Sequence, residues 1–128
     1  MTPFGQAVRR LRKINKITLK QFAADMGVSS AYFSALEHGY RGRPGPGLVQ
    51  QIAGYFNLGT EETDELKRLA GLSHPRVTVD TAGLNPKATE LANLLAELIH
   101  ELDEDTVEWI IAEIRGRRAA RTRGGPTH

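Results

Sequence analysis

Short amphipathic segments follow one another along the first 70 residues, each with apolar positions three or four residues apart. Phe4, Val8 and Leu11 have this spacing, which is typical of one face of an α-helix. Pro3 stands just before them and suits the first position of a helix. The pattern therefore predicts a first helix that ends near Asn15.

A second and a third helix are predicted to follow with almost no gap between them. Thr18 and Gln21 form the capping-box pattern, and Gly27 is placed to end the helix in a left-handed conformation. Ser29 then caps a third helix, which runs to about His38. Such a restart sets the two helices at a steep angle. The residues expected in their shared core are Phe22, Met26, Phe33 and Leu36.

Two more helices complete the first predicted domain. Residues 39–47 are too rich in glycine and proline for a helix or a strand, so a loop is expected there. Leu48, Ile52 and Phe56 predict the fourth helix. Thr60 is expected to cap the fifth, which Gly71 closes. The sequence thus predicts an all-α fold with a five-helix domain over residues 1–72.

The rest of the chain is predicted to form a linker, a helical hairpin and a tail. Residues 73–84 break the helical rhythm and are assigned to the linker. Asn85 and Asp103 suit the caps of two helices over residues 85–118, each with a broad apolar face. Residues 119–128 have nothing to bury, so a disordered basic tail is expected.

Charge is distributed very unevenly along a chain whose net charge is only +2. Residues 1–58 carry eight basic side chains and two acidic ones, whereas residues 59–114 carry four basic and thirteen acidic ones. Residues 115–128 carry five arginines and no acid. A basic first half points to an anionic partner.

Composition and the spacing of reactive residues exclude several classes of function. The chain has no cysteine, so thiolate metal sites and disulfides are excluded. No apolar run approaches the roughly 20 residues needed to span a bilayer, and a cytoplasmic protein is expected. The four histidines are scattered, the glycine-rich loop lacks Gly-Lys-Ser/Thr, and no catalytic constellation is found. We therefore expect neither an enzyme nor a bound metal or cofactor.

Residues 18–39 resemble the helix-turn-helix of the lambda-repressor-like, Cro-type family of bacterial and phage DNA-binding regulators. This family is also called the xenobiotic-response-element family. The resemblance extends more loosely over about residues 4–58. It rests on Thr18, Phe22, Ala23, Gly27, Val28, Ser29, Phe33, Leu36, Glu37 and Gly39. It implies that the third helix, residues 29–38, enters the major groove of double-stranded DNA.

The resemblance also implies which residues touch DNA. The residues expected to contact bases are Ser30, Ala31, Tyr32, Ser34 and Ala35. Phosphate contacts are expected from Thr18, Lys20, Ser29, His38, Tyr40, Arg41 and Arg43. Weaker phosphate candidates, for which a merely solvated role is an open alternative, are Arg9, Arg10, Arg12, Lys13 and Lys16. Family members often carry Gln, Arg, Asn or Lys on this helix, so the small side chains predict a thin direct readout of bases.

The two C-terminal helices carry more leucine and isoleucine than two helices could bury against each other alone with water on their other faces. Pairing with a second copy in a four-helix arrangement would bury them and place two recognition helices on a near-palindromic operator. The alternatives are that they pack back on residues 48–70 and that Trp109 folds onto its own domain. The predicted interface residues are Leu91, Leu94, Leu95, Leu98, Leu102, Val107, Trp109, Ile110 and Ile114.

Taken with the resemblance, these patterns predict a homodimeric, sequence-specific transcriptional regulator, most simply a repressor, that associates with the nucleoid when bound to DNA. One alternative is the DNA-binding antitoxin of a toxin–antitoxin pair, with a second surface for a protein partner. Another is a protein-interaction module that has lost DNA binding, which the small side chains of the third helix favour.

Overall fold

The computed structural model describes residues 1–124, with side chains as far as residue 122. Within that range it contains seven α-helices, one short 3-10 helix and no strand, and none of these helices is long and apolar enough to cross a membrane. The helices are α1 (Pro3–Ile14), α2 (Leu19–Met26), α3 (Ser30–Glu37), α4 (Pro46–Tyr55), α5 (Thr60–Gly71), α6 (Pro86–Leu98), the 3-10 segment (Ile99–Glu101) and α7 (Glu104–Gly124).

The chain divides into two compact units, of which the first is Met1–Thr78 and the second begins at Val79. In the first unit, α1 packs on α3 and α5, α2 on α3, and α4 on α5. Ser73, which the sequence placed in the linker, is buried in this unit. Its hydroxyl accepts a hydrogen bond from the Phe4 N–H at 2.9 Å and donates one to the Leu69 carbonyl at 2.6 Å. The first unit therefore extends past residue 72.

An aromatic cluster lies at the centre of the first unit. The ring of Phe22 meets that of Phe33 edge to face at 4.9 Å between centroids and stacks on Phe56 at 5.4 Å. Leu36 is buried with them as predicted, whereas Met26 is only half-buried at the edge of this core. The buried core consists of Phe4, Val8, Phe22, Ala23, Phe33, Leu36, Val49, Ile52, Leu66 and Ala70. This core fixes the positions of α2 and α3.

The ends of α2 and α3 confirm the predicted start and stop signals. Thr18 Oγ1 accepts a hydrogen bond from the Gln21 N–H at 3.1 Å, and Ser29 Oγ accepts one from the Tyr32 N–H at 3.0 Å. Gly27 adopts φ 76°, a left-handed conformation that glycine reaches without strain. Only half of the capping box forms, because the Gln21 side chain donates to Asp25 Oδ1 instead of returning to Thr18.

Two of the predicted helix starts were wrong. α5 is capped by Gly59, which has no side chain to accept a hydrogen bond, and Thr60 is already the first helical residue. α4 begins at Pro46 after Gly45, so the last residues of the predicted 39–47 loop are helical. Proline at the first position of a helix loses no intrahelical hydrogen bond, which permits this earlier start.

The second unit has no buried residue as far as residue 122. Asn85 caps α6 by accepting from the Lys87 and Ala88 N–H groups at 2.8 and 3.1 Å, as predicted. Asp103 caps α7 by accepting from the Thr106 N–H at 2.8 Å. Hydrogen bonding with the Thr106 side chain, and secondarily with its backbone, lowers the pKa of the Asp103 carboxyl.

The last helix is longer than the sequence indicated. α7 continues past residue 118 to Gly124, so residues 119–124 of the predicted disordered tail are helical. The remainder of that predicted tail, residues 125–128, lies outside the described residues.

Candidate nucleic-acid interface

One face of α3 is open to solvent while the opposite face is buried. Ala31 and Tyr32 are exposed, and Ser30, Ser34 and Ala35 are half-buried. Phe33, which lies among them in sequence, and Leu36, which follows them, are buried in the core. Every residue predicted to contact a base is therefore accessible at least in part, and the helix presents a surface of small side chains around one tyrosine.

Tyr32 and Arg41 are brought together at the edge of this face. The guanidinium carbon of Arg41 lies 5.4 Å from the centroid of the Tyr32 ring, within the range of a cation–π contact. The contact keeps a cation from the α3–α4 loop beside the exposed face of α3. Tyr32 is thus in contact with a neighbouring side chain and also exposed at the predicted interface.

His38 and Tyr40 form a second aromatic pair just after α3. Their rings are nearly parallel, at 12° and 6.2 Å between centroids. His38 Nδ1 lies 2.8 Å from the Ser34 carbonyl oxygen. Because a carbonyl only accepts, Nδ1 carries a hydrogen, and in the neutral ring Nε2 is then an acceptor rather than a donor to phosphate. Both residues are exposed.

The other predicted phosphate contacts are also exposed. The hydroxyl oxygens of Thr18 and Ser29 act as cap acceptors, so each hydroxyl hydrogen is still available to donate to an anion. Within residues 1–122, Lys20, Arg41 and Arg43 form no ion pair. These three cations are therefore uncompensated, and the contact with Tyr32 places one of them, Arg41, beside the open face of α3.

Lys67 is a basic residue near Arg43 that no sequence pattern singled out. It lines an open groove of ≈ 630 Å³ together with Arg43 and Gln50. Lys67 belongs to α5 and lies far from Arg43 in sequence, so no local pattern signals that the two cations share a groove.

Arg12 has a different role from the weak phosphate candidate that the sequence suggested. It is buried, and its Nη2 lies 3.1 Å from Glu37 Oε2. The pair joins the end of α1 to the last residue of α3. Arg12 Nε has no hydrogen-bond partner in the structure, so this cation depends on Glu37 for its compensation. Arg12 is therefore a structural residue.

The backbone at the end of α3 is held directly against the start of α1. Both the backbone N–H and the hydroxyl of Thr2 donate to the Glu37 carbonyl, at 2.9 and 3.3 Å. Gly5 makes this approach possible, since a Cβ there would lie 2.3 Å from the Glu37 carbonyl oxygen. Together with the Arg12–Glu37 pair, these contacts fix where α3 ends relative to α1.

A polar contact holds α2 against α4. The Tyr55 hydroxyl donates to Asp25 Oδ2 at 2.6 Å, and Gln21 donates to the other oxygen of the same carboxylate at 2.8 Å. The hydrogen bond to Asp25 raises the pKa of the Tyr55 hydroxyl.

In the part of the chain that the structure describes, no three His, Asp or Glu side chains are grouped as metal ligands.

Comparisons with known proteins agree with this geometry. The family model of the helix-turn-helix domain matches residues 3–66, half of the chain. The chain is 41% identical over 58 residues to the uncharacterized HTH-type transcriptional regulator RghRB of Bacillus subtilis (strain 168), and 42% identical over 53 residues to the HTH-type transcriptional repressor RghR of the same organism.

These similarities cover 45% and 41% of this chain and 42% and 39% of the respective relatives, so the chain spans about two fifths of the length of each. No solved structure matches the chain significantly. The matched range contains α1 to α4, most of α5 and the open face of α3. The chain belongs to the helix-turn-helix domain family.

Proposed function

We propose that this protein is a sequence-specific regulator of transcription that binds double-stranded DNA as a homodimer and represses from a near-palindromic operator. The observation that carries the proposal is the open face of α3 with the uncompensated Arg41 held against Tyr32, and Lys20 and Arg43 are also without an ion pair within residues 1–122. A helix offered to the major groove needs both an accessible face and cations that meet the phosphates beside it. The names of the two Bacillus relatives point to the same class of function.

The side chains on α3 limit how bases are read. Ala31 suits contact with a thymine methyl group, and the hydroxyls of Ser30 and Ser34 bond to either kind of base. None of these side chains makes the bidentate contact that an arginine or a glutamine makes with a purine. The shape and deformability of the operator therefore carry a large share of the specificity.

Selection of genomic fragments by the purified protein at two salt concentrations tests the proposal. Enrichment of specific fragments, with affinity that falls steeply as salt rises, is the expected result. Absence of any enriched fragment at low salt contradicts it and favours the interaction module. The spacing of half-sites in enriched fragments also tests the dimer, because two recognition helices related by twofold symmetry contact sites about one helical turn, roughly 34 Å, apart.

Replacing Arg41 and Arg43 together by alanine is expected to weaken binding to all DNA sequences. If each arginine neutralises one phosphate, the salt dependence (log K against log salt) becomes shallower by about 2 per copy of the chain. The measurement is fluorescence anisotropy with operator and unrelated duplexes over a salt series. Replacing Arg68 and Lys87 together by alanine is the matched control, since it removes the same charge from residues already paired with Glu65 and Glu90. Unchanged affinity in the double variant would contradict the assignment.

The homodimer is argued from apolar side chains that the second unit leaves exposed. Leu91 is 54%, Trp109 65% and Ile114 58% exposed, and they belong to a set of large apolar side chains exposed on α6 and α7. Leu94 is also exposed, and the other predicted interface residues, Leu95, Leu98, Leu102, Val107 and Ile110, are half-buried. Ile99 and Ile111 are exposed as well and extend the predicted apolar surface. Pairing with the same surface of a second copy would remove it from water.

Leu94→Glu is expected to convert the dimer to a monomer, because a second copy would have to bury two unpaired carboxylates at the symmetric contact. Sedimentation velocity measures the change. Trp109, the single tryptophan of the chain, reports it independently by a red shift of its emission. Asn93→Glu adds the same charge at the neighbouring exposed position, where Asn93 already bonds the Thr89 carbonyl, and should leave the dimer intact. A wild-type chain that sediments as a monomer at all concentrations would refute the homodimer.

A further inference from the structure

Beyond Ile114, α7 loses its large apolar side chains and its acidic residues and carries arginines instead. Four arginines lie between residues 115 and 121, here named the arginine segment: Arg115, Arg117, Arg118 and Arg121. The described helix has no apolar residue larger than alanine after Ile114, so the segment has nothing to contribute to an apolar interface. All four arginines are exposed.

Helical spacing brings these arginines into one continuous charged surface. Arg115 and Arg118, like Arg118 and Arg121, are three residues apart, and Arg117 lies four residues before Arg121. Side chains three and four residues apart are neighbours on a helix, so the positive charges repel one another. The segment is therefore a surface of like charges that an anion would stabilise.

Little within the described residues compensates this charge. Arg117 Nε donates to Glu113 Oε1 at 2.6 Å, but Arg115, Arg118 and Arg121 form no ion pair in the described chain. No aspartate or glutamate follows Glu113 in the sequence. Three cations are thus available to a partner.

We propose that the arginine segment of α7 is a second DNA-contacting surface, which binds the phosphates of duplex DNA without reading its sequence. The basic residues there are all arginines, whose planar guanidinium groups bond phosphate oxygens in pairs, whereas lysine acts as a point charge. Residues 115–121 span roughly 9 Å along the helix axis, which corresponds to two or three phosphates of one strand at about 3.4 Å each. The absence of large apolar side chains favours a polyanion over an apolar protein surface.

This inference rests on the proposed function, because it gives α7 the same duplex that α3 binds. Once α3 is on its site, the arginine segment is tethered to that duplex and binds at a high effective concentration. Its contacts add to the affinity for every sequence equally, since phosphates carry no sequence information. Specificity remains with α3.

The test is a variant with Arg115→Gln, Arg118→Gln and Arg121→Gln, which keeps the Arg117–Glu113 pair. Its affinity for enriched and for unrelated duplexes is measured by fluorescence anisotropy over a salt series. We expect both affinities to fall by a similar factor, roughly tenfold or more at about 0.1 M salt, and the salt dependence to become shallower by about 2 to 3 per copy. Replacing the same three arginines by lysine should retain most of the salt dependence.

A matched control removes the same net charge elsewhere, with Arg68→Gln, Arg76→Gln and Lys87→Gln, and should leave the salt dependence unchanged. Circular dichroism and sedimentation show whether each variant keeps its helices and its oligomeric state. A triple-arginine variant that binds duplexes as the wild type does, with the same salt dependence, overturns the inference, whatever acidic protein the segment binds instead. If the wild-type chain enriches no specific fragment, the proposed function is contradicted. The arginine segment is tested even then, because the affinities of the arginine variant and of the wild type for unrelated duplex can still be compared.

Discussion

Replacing Gly5 by alanine is expected to destabilise the first unit by about 3 kcal/mol or more, although alanine is normally the better helix former. A Cβ at this position would lie 2.3 Å from the Glu37 carbonyl oxygen and 2.7 Å from the Glu37 Cα. Both atoms belong to the backbone, so no side-chain rotation relieves the clash. α1 and the end of α3 must then separate, and the hydrogen bonds from Thr2 to the Glu37 carbonyl are lost with the close contact.

Gly54→Ala is the matched control for this prediction. Gly54 lies within α4 and is exposed, and a Cβ there would have nothing within 4 Å. The control should therefore raise stability by about 0.5 to 1 kcal/mol, the usual gain when alanine replaces glycine inside a helix. Urea unfolding followed by circular dichroism gives the free energies, and amide hydrogen exchange of α1 and α3 locates the loss. Equal stability of the two variants would show that the contact at Gly5 can relax.

Local signals in the sequence were sufficient to place α2, the turn and α3. The residue types at Thr18, Gly27 and Ser29 act within one turn of chain, so their hydrogen bonds and backbone angles follow from neighbouring residues alone. The open face of α3 was predictable for the same reason, because helical periodicity separates Phe33 and Leu36 from the residues beside them. Thr60 shows the limit of such signals, since a good cap residue was present and the helix began at it instead.

The contacts that orient α3 were not predictable from spacing. Gly5 and Arg12 are each more than twenty residues from Glu37 in sequence, and only the folded chain brings them together. Helical spacing does place Arg12 four residues after Val8, on the buried face of α1, but it does not identify the distant carboxylate that compensates this charge. The Tyr55–Asp25 contact and the groove shared by Arg43 and Lys67 join residues of different helices in the same way.

The second unit shows why composition alone misjudged residues 119–124. Disorder was expected from residue 119 because nothing there is apolar enough to bury. Alanine and arginine are nevertheless among the best helix formers, and Ala119, Ala120 and Arg121 continue α7 without any packing. Burial and helix propensity are separate properties, and the arginine segment is helical because of its helix propensity.

Removing either member of the Arg12–Glu37 pair is expected to cost about 3 to 5 kcal/mol, because the remaining partner stays buried without compensation. The side chains are only 10% and 3% exposed, so water cannot replace the lost partner without opening the structure. Arg12→Met leaves the Glu37 carboxylate unpaired, and Glu37→Met leaves a guanidinium whose Nε already lacks a partner. Urea unfolding of both single variants measures the cost.

The double variant with Arg12→Met and Glu37→Met distinguishes the loss of a pair from the loss of packing. Methionine roughly retains the volume of both side chains, so the double variant leaves no buried charge and should be more stable than either single variant. The double-mutant cycle then gives a coupling energy of several kcal/mol, far above that of an exposed pair such as Lys87–Glu90. Additive losses would mean that the two charges act independently. The pair joins α1 to the last residue of α3, so its loss should also disturb the DNA-binding helix. We expect each single variant to bind DNA less tightly at temperatures where it remains folded. The double variant should recover most of that affinity.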